Sequence, residues 1–402
     1  MDPKQLTSFK LAGLRAGHVA QATAQSSSLV RAATKLHQGR KTAKRALKYF
    51  FKSLKSPKIS AGNKLRVLLH VRGGIGDVCM ARIFIQKLRA TLPQAEISFS
   101  YDTKEVVDLV FPDGLIDRFE PTNYLPQQSD IVLSGCHLLM YDFINRQRVE
   151  KLAPHFLPIL EQGLDVQAYF KPFAVYSPYL DGQLAEIAVV HGGSRITNLG
   201  WFSGLEVHQN DLSTLTLDSA TTDNVLKKYD LTHKIYVTIH DGINTRTDTS
   251  LGHPTRCWPQ AKWMEFANLF KATFPDICLV QLGGSKSHPF SFVDQSLVGK
   301  TALADLPHIL KKARLHIDGE SGLVHLANLT QTPCVVLFGP SKAAYLGYAR
   351  NTNITAPSCS GCMNISKHWM TQCILGYPPA EQCLASISAQ QVFEAVSAVL
   401  KN

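Results

Sequence analysis

The chain has 402 residues and a mass of 44.4 kDa, with 45% hydrophobic and 18% charged residues. These proportions are ordinary for a globular protein, and the length is sufficient for two α/β domains with separate cores. No apolar run approaches the roughly 18 residues that a membrane-spanning helix needs, and no signal peptide opens the chain. We therefore expect a cytoplasmic protein, either free or peripheral on the inner face of the cytoplasmic membrane.

The formal net charge of +11 at pH 7 is concentrated at one end of the chain. Residues 1–60 contain thirteen lysines and arginines against one acid, whereas residues 61–402 are close to neutral. We predict that residues 1–60 form a basic helical extension, and its interleaved Tyr49, Phe50 and Phe51 suit an anionic membrane surface. Alternatively, this extension packs on the core of its own chain or on a neighbouring subunit. In the second case the protein is an oligomer. The tract has no recognisable nucleic-acid-binding module, so we predict no nucleic-acid partner.

Strands and helices alternate after the extension. In residues 61–228 the hydrophobic pattern predicts strands at 67–71, 96–101, 131–133 and 187–191 and a helix at 78–92. In residues 229–402 it predicts strands at 235–240, 277–282, 315–317 and 335–338 and helices at 260–274, 303–313, 321–330 and 388–400. Such alternation produces parallel sheets joined by right-handed crossovers. The sequence therefore predicts two α/β domains, one in each half.

The first candidate site is the turn after the strand that begins near Arg66. Gly73, Gly74 and Gly76 form a small-residue loop that leads into a helix, where free backbone N–H groups face an anion. Asp77 is either a helix-start residue or a general base in the site. The loop is also a partial dinucleotide fingerprint: Cys79 replaces its third glycine, and Asp102 is a candidate ribose-binding acid. A nicotinamide-dependent oxidoreductase is therefore an alternative.

The second candidate site lies in the other half of the chain. Ser321, Gly322 and Leu323 follow a strand and can offer N–H groups to a diphosphate, while Glu320 can accept hydrogen bonds from a sugar. Glu320 is equally well explained as a favourable acid at a helix start, and His325 as a structural residue. Arg256 precedes Pro259 and is placed to pair with phosphate oxygens. Together the two sites are typical of a sugar-nucleotide transferase.

These segments resemble glycosyltransferase family 9, which includes the lipopolysaccharide heptosyltransferases. The resemblance rests on Arg66 to Asp77, Arg256 to Pro259, residues 298–303 and Glu320 to Pro340, and it covers roughly residues 64–395. It implies a GT-B fold, with two Rossmann-like domains facing a cleft: an acceptor domain at 61–228 and a nucleotide-sugar domain at 229–402. It also implies metal-independent inverting transfer from an ADP-heptose donor.

The resemblance assigns roles to the candidate residues. Asp77 matches the catalytic base, and Arg256 matches a basic residue that holds the donor phosphate. Glu320 to Leu323 match the donor loop, in which Glu320 stands where the family has Asp. His325 falls on the helix that follows, and Gly73, Gly74 and Gly76 form the loop on the acceptor side.

Four of the nine cysteines predict a metal finger at residues 359–383. Cys359, Cys362, Cys373 and Cys383 have C-x2-C-x10-C-x9-C spacing in a segment with little apolar pattern. Four thiolates complete a tetrahedral site, for which zinc is the usual ion and iron is also compatible. Similar cysteine segments occur in relatives of the family, including autotransporter heptosyltransferases with an iron-binding finger. We expect a structural ion and no catalytic cofactor.

The sequence therefore predicts an inverting glycosyltransferase. Its donor is a nucleoside-diphosphate sugar, with ADP-heptose indicated by the resemblance. Its acceptor is a hydroxyl of a surface glycan, a lipid-linked glycan such as the lipopolysaccharide core, or a protein. The alternatives are the NAD-dependent oxidoreductase and a non-catalytic nucleotide-sugar-binding or assembly protein.

Overall fold

The computed structural model describes residues 62–122, 124, 128–176, 180–243, 254–366, 369–376 and 383–401. The predicted extension at 1–60 lies outside the described residues. Parts of the predicted metal finger, at 367–368 and 377–382, lie outside them too, but its four cysteines are described.

The first sheet is built from the residues between 66 and 144. Its strands are β1 (Arg66–Val71), β2 (Glu96–Ser100), β3 (Arg118–Glu120), β4 (Ile131–Gly135) and β5 (Leu139–Ile144). They are ordered β3-β2-β1-β4-β5; β5 is antiparallel to β4 and the other pairs are parallel. Val67 of β1 is in register with Ile97 on one side and Ile131 on the other, and all three are buried. The apolar run of β1 thus forms the centre of the sheet, as expected for a parallel strand covered on both faces.

Seven helices accompany this sheet in the described part of the chain. They are α1 (Ile75–Thr91), α2 (Lys104–Val110), α3 (Arg146–Leu152), α4 (Leu157–Tyr176), α5 (Leu180–Val190), α6 (Arg195–Trp201) and α7 (Ser219–Lys228). The strand predicted at 187–191 is wrong, because these residues continue α5 into the turn that follows. Ala185 and Ala188 are buried while Val190 is 78% exposed, which is the spacing of a helix face and not of a strand.

The second sheet is entirely parallel. Its strands are β6 (Tyr236–His240), β7 (Cys278–Leu282), β8 (Gln295–Ser296), β9 (His316–Gly319), β10 (Cys334–Phe338) and β11 (Thr352–Thr355). The order β11-β10-β9-β6-β7-β8 is that of a doubly wound nucleotide-binding sheet. Its helices are α8 (Gln260–Thr273), α9 (Leu306–Lys312), α10 (Gly322–Leu329), α11 (Ala343–Leu346) and α12 (Ala389–Lys401). The strands and helices predicted in this half are present close to their predicted bounds.

Each sheet has one point at which the direction of winding reverses. It lies between β1 and β4 in the first sheet and between β6 and β9 in the second. Ligands of open α/β sheets bind beyond the carboxyl ends of the strands at such switch points. The loops after these four strands are therefore where a functional site is expected.

Among the helices in the described part of the chain, none combines the length and the hydrophobicity that crossing a membrane requires.

Candidate active site

Asp77 lies at the first switch point, in the first turn of α1. The chain leaves β1 through Gly73, whose φ of +120° favours glycine. The Asp77 carboxylate folds back over this turn, and its Oδ2 accepts a hydrogen bond from the Gly74 N–H at 2.8 Å. A Cβ atom at Gly73 would lie only 2.1 Å from Oδ2. Asp77 therefore stabilises the N-terminus of α1 by accepting this hydrogen bond, and its carboxylate lies over the glycine turn.

The position of the Asp77 carboxylate is relevant to the alternative that the protein is a nicotinamide-dependent oxidoreductase. In a dinucleotide site the turn between the first strand and helix presents its N–H groups to a pyrophosphate. Here the Gly74 N–H is already bound to a carboxylate, and a pyrophosphate at the turn would meet that negative charge. The geometry argues against dinucleotide binding at this turn.

Two further groups hold the Asp77 carboxylate at Oδ1. The Cys136 thiol, just after β4, donates to Oδ1 over 3.3 Å, and Arg195 Nη2, from α6, donates to it over 3.2 Å. Burial raises the pKa of Asp77, but Arg195 and His137 outweigh burial and hold that pKa below its usual value. The carboxylate is therefore an anion at neutral pH. Sequence reasoning did not identify Arg195 as a partner of Asp77, because the two residues lie 118 positions apart along the chain.

Asp77, Cys136 and His137 also have the residue types of a metal site. Their ligand atoms lie within 4.8 Å of one another, a unique arrangement among the described histidines, cysteines and acids. The Arg195 guanidinium, however, is only 2% exposed and donates to the same carboxylate. A metal cation there would lie beside a buried positive charge, so we assign no ion to this group.

The second switch point is organised by a buried ion pair. His240, at the end of β6, directs Nδ1 at both carboxylate oxygens of Asp318, at 3.0 Å each. Burial lowers the pKa of His240, but Asp318 outweighs burial and raises it to about 9. Burial raises the pKa of Asp318, yet His240 brings it down to about 2. The pair is thus an imidazolium and a carboxylate, and it ties β6 to β9.

The loop at Ser321, which the sequence predicts to bind the donor, is fixed by this ion pair. The Ser321 hydroxyl donates to Asp318 Oδ2 and accepts from the Leu323 N–H at 3.2 Å, so Ser321 caps α10. The predicted loop residues Ser321, Gly322 and Leu323 therefore lie at a helix start as expected. The Leu323 N–H, however, is bound within the protein. Sequence reasoning overlooked Asp318, whose buried carboxylate fixes the loop.

Arg256 and Glu320 lie together and bind each other. Arg256 Nη2 donates to Glu320 Oε2 at 2.7 Å and to the Glu320 carbonyl. Ser341 Oγ donates to Oε2 over 3.3 Å, and His325 Nε2 lies 3.3 Å from Oε1. Burial raises the pKa of Glu320, but Arg256 and His325 lower it to about 2. Arg256 Nε is buried with no acceptor among the described residues, so this arginine retains a donor for a ligand.

The two switch points meet through the starts of α1 and α10. A Cβ atom at Gly76 would lie 2.4 Å from His325 Cδ2, and one at Gly322 would lie 2.3 Å from Ile75 Cγ2. His325 Nδ1 is 2.8 Å from the Tyr348 hydroxyl, which donates to Met80 Sδ in α1. These contacts place His325 and Glu320 beside the helix that carries Asp77.

The four finger cysteines lie near one another. Burial, together with neighbouring Cys359, Cys362 and Cys373, raises the pKa of Cys383 to about 12. Burial, Cys373 and Cys359 likewise raise the pKa of Cys362. Four neighbouring thiols fit a thiolate-binding ion in residue type. No three of their sulfur atoms, all within the described residues, come within 4.8 Å of one another.

The segment between these cysteines contacts Arg256 and the residue before it. Thr255 N donates to the Met370 carbonyl at 3.1 Å, and Thr255 Oγ1 donates to the Trp369 carbonyl at 2.6 Å. The Arg256 guanidinium lies 5.6 Å from the centre of the Trp369 ring, within range of a cation–π contact. The cysteine segment therefore supports the arginine that pairs with Glu320.

Comparison with known proteins confirms the resemblance to family 9. The model of glycosyltransferase family 9 (heptosyltransferase) matches residues 205–369. No curated protein sequence matches the chain. Among solved structures, E. coli ADP-heptose lipopolysaccharide heptosyltransferase II has 15% identity and a TM-score of 0.51, over 84% of this chain and 99% of that one.

Two other solved structures share the fold. A family 9 glycosyltransferase from Veillonella parvula has 17% identity and a TM-score of 0.52, over 86% of this chain and 99% of that one. TibC, an iron-containing dodecameric glycosyltransferase from enterotoxigenic E. coli, has 14% identity and a TM-score of 0.51, over 84% of this chain and 77% of that one.

Proposed function

We propose, from the family 9 match over residues 205–369, that this protein is an inverting glycosyltransferase that transfers heptose from ADP-heptose to an acceptor hydroxyl. The observation that carries the proposal is the contact between α1 and α10. It places a carboxylate from one sheet, Asp77, near the Arg256, Glu320 and His325 cluster of the other. Such a pair of sites suits a reaction between two substrates.

The donor diphosphate binds on the side of the second sheet. Arg256 offers its buried Nε to a phosphate oxygen, and the start of α10 contributes its dipole. Glu320 holds Arg256 in place. When the guanidinium turns towards the phosphate, Glu320 accepts a hydrogen bond from a hydroxyl of the sugar. Because the side chains of Arg256 and Glu320 are only 18% and 9% exposed, these charges stabilise the leaving diphosphate more strongly than they would in solvent.

The acceptor is activated on the side of the first sheet. Asp77 takes the proton of the acceptor hydroxyl while that oxygen bonds to the anomeric carbon of the sugar. The bond between the anomeric carbon and the diphosphate oxygen breaks, and its electron pair leaves with ADP. A single displacement inverts the anomeric configuration. No step calls for a metal ion, and we propose metal-independent chemistry in a GT-B fold whose domains span 61–228 and 229–402.

The four finger cysteines hold a structural ion in this proposal, zinc or iron. A tetrathiolate ion would replace a hydrophobic core in a segment that has little of its own. Through Trp369 and Met370 the finger then supports Thr255 and Arg256. Metal analysis of the purified protein tests this: one ion per chain is expected, and its loss in Cys373→Ser but not in Cys278→Ser would separate the finger from an unrelated thiol.

We also propose the class of acceptor, the membrane attachment and an oligomeric state. A surface glycan, the lipopolysaccharide core and a protein hydroxyl all supply the oxygen that Asp77 requires. The basic residues 1–60 suit peripheral attachment to the inner face of an anionic membrane, where a lipid-linked glycan is assembled. The dodecameric TibC is a precedent for an oligomer.

A thermal-shift panel with ADP, UDP, GDP, their sugar conjugates including ADP-heptose, and NAD(H) tests the function. A ligand at about a hundred times its dissociation constant stabilises a protein by roughly 2.7 kcal/mol. Selective stabilisation by ADP and ADP-heptose is expected. Selective stabilisation by NAD(H) would overturn the transferase, a UDP or GDP sugar would replace the donor, and no response to any nucleotide would favour a non-catalytic role.

A further inference from the structure

We propose that Arg195 is a positioning residue for the transfer reaction: it fixes the Asp77 carboxylate so that Oδ2 is the oxygen that receives the acceptor proton. This inference rests on the proposed function, because it concerns the base of that reaction. Arg195 lies outside the segments that carry the family resemblance, and the family match begins ten residues after it.

The contacts of Arg195 join the two loops of the first switch point. Nη2 donates to Asp77 Oδ1 at 3.2 Å and to the Cys136 carbonyl at 2.6 Å, and Nη1 donates to the His137 carbonyl at 3.3 Å. The side chain is 2% exposed. A cation this buried is tolerated only when it is paired and hydrogen-bonded, and Asp77 is the carboxylate that pairs it. Arg195 thus holds the loop after β1 against the loop after β4.

The two carboxylate oxygens of Asp77 differ in how many hydrogen bonds they already accept. Each carboxylate oxygen accepts about two hydrogen bonds. Oδ1 has both of its positions filled, by Arg195 and by the Cys136 thiol, whereas Oδ2 accepts only from Gly74 among the described residues. The Asp77 side chain is 21% exposed, so an acceptor hydroxyl can reach it. The free position on Oδ2 is therefore where the proton arrives.

The charges around this carboxylate keep it ionised. Arg195 faces it from α6, His137 and Cys136 face it from the loop after β4, and Cys79 lies near it in α1. Tyr345 of α11 faces Arg195 from the second half of the chain. Arg195 is the largest influence that lowers the pKa of Asp77. Replacing it with a neutral side chain should therefore move the protonation of Asp77 to higher pH.

The test compares Arg195→Met and Arg195→Lys with a matched control, Arg82→Met. Arg82 is also buried, at 1% exposure, but it pairs with Asp113 and not with Asp77. In transfer assays across pH, Arg195→Met should lower kcat by about 10²-fold, the loss expected when a reacting group is displaced by about 1 Å. The acid limb of its pH–rate profile should move to higher pH, while the KM values for donor and acceptor change little. Arg195→Lys keeps the charge, so its acid limb should stay near that of the wild type with kcat only partly restored.

Two results would overturn the inference. One is an Arg195→Met enzyme that loses thermal stability as Arg82→Met does but keeps the acid limb and the kcat of its folded fraction. The other, which applies even if Arg195→Met does not fold, is an Arg195→Lys enzyme with the kcat of the wild type.

A separate readout distinguishes failure of the inference from failure of the proposed function. Asp77→Asn should lower the melting temperature in the wild-type background, where it leaves Arg195 without its carboxylate, and lower it less in the Arg195→Met background, where no buried cation remains. Equal effects in both backgrounds would show that the two side chains are not coupled and would overturn the inference. A wild-type protein that transfers sugar from none of the tested donors would instead overturn the proposed function.

Discussion

Gly76 packs against the imidazole of His325 so closely that a Cβ atom at this position would lie 2.4 Å from His325 Cδ2. Gly322 has the same relationship to Ile75, with 2.3 Å to Cγ2. The glycines that sequence analysis assigned to anion binding therefore also permit two helix starts to touch. This contact is what brings Asp77, the proposed base, close to the cluster of Arg256, Glu320 and His325.

We expect Gly76→Ala and Gly322→Ala to destabilise the protein. The added methyl must displace a packed side chain, and overpacking of this kind costs about 1–3 kcal/mol. Urea unfolding measures the loss. Gly74→Ala is the matched control: no atom lies within 4 Å of its Cβ position, so its effect should be smaller, at most the modest cost of changing a helix cap. Equal losses in all three variants would show that the helix contact is not responsible.

Asp77→Asn should abolish most of the transfer and leave donor binding intact. The amide retains the shape of the carboxylate but cannot accept the acceptor proton, and a general base contributes about 10²- to 10⁴-fold to a rate. ADP release measures the rate, and calorimetric titration with ADP measures binding. Asp102→Asn is the control: it should have no effect on a transferase, whereas an oxidoreductase with Asp102 on the ribose would lose cofactor binding. A loss of donor affinity as large as the loss of rate would contradict the role of Asp77.

The fold and the two turns could be predicted because their signals are local. β1 and β6 are short, mostly apolar runs followed within two residues by glycine or aspartate, and β9 ends in Asp318 and Gly319. A parallel sheet gathers such strand ends at one edge. Asp77, Ser321 and Glu320 were found for this reason. The error at 187–191 came from an apolar run in which helix and strand periodicities cannot be separated.

The partners of those residues were harder to predict because they come from elsewhere in the chain. Arg195 reaches Asp77 across 118 positions, and His240 reaches Asp318 across 78. Nothing in the local sequence distinguishes a buried arginine in a short helix from an exposed one. The pairing of Arg256 with Glu320 is a similar case: both residues were identified, but each was expected to bind the donor.

Arg256→Ala should weaken donor binding. A hydrogen bond to a charged group contributes about 1.5–3 kcal/mol, so ADP affinity should fall by roughly 10- to 150-fold. The variant also leaves the Glu320 carboxylate, 9% exposed, without its cation, so its melting temperature should fall as well. The double variant Arg256→Met with Glu320→Gln removes this second effect and should recover stability but not affinity.

The control for this prediction is Arg350→Ala. Arg350 is exposed on the same half of the chain and donates to the Gln331 carbonyl at 2.8 Å, away from the donor cluster. Arg350→Ala should change neither the affinity for ADP nor the melting temperature. If Arg256→Ala binds ADP as the wild type does, Arg256 is not a donor-binding residue.

The ion pair of His240 and Asp318 makes stability depend on pH in a defined direction. The folded pKa of His240, about 9, lies above the ordinary value of 6.5. Its contribution is therefore complete below about pH 6.5 and is lost as the pH rises through about 9. The folded pKa of Asp318, about 2, lies below the ordinary value, so its contribution is complete above about pH 4 and is lost in stronger acid.

His240→Gln should therefore destabilise the protein most at pH 6 to 7. The variant leaves Asp318 buried without its cation, and removing one partner of a buried pair costs about 3–5 kcal/mol. The gap in melting temperature between wild type and variant should narrow between pH 7 and pH 10, because the wild-type imidazolium loses its proton there. His208→Gln is the control, since His208 is 63% exposed beside Glu206 and should give no such gap. A gap that stays constant across this range would mean that His240 is neutral in the folded protein. The Ser321 cap would then be held by an ordinary hydrogen bond to Asp318 rather than by a carboxylate fixed in an ion pair.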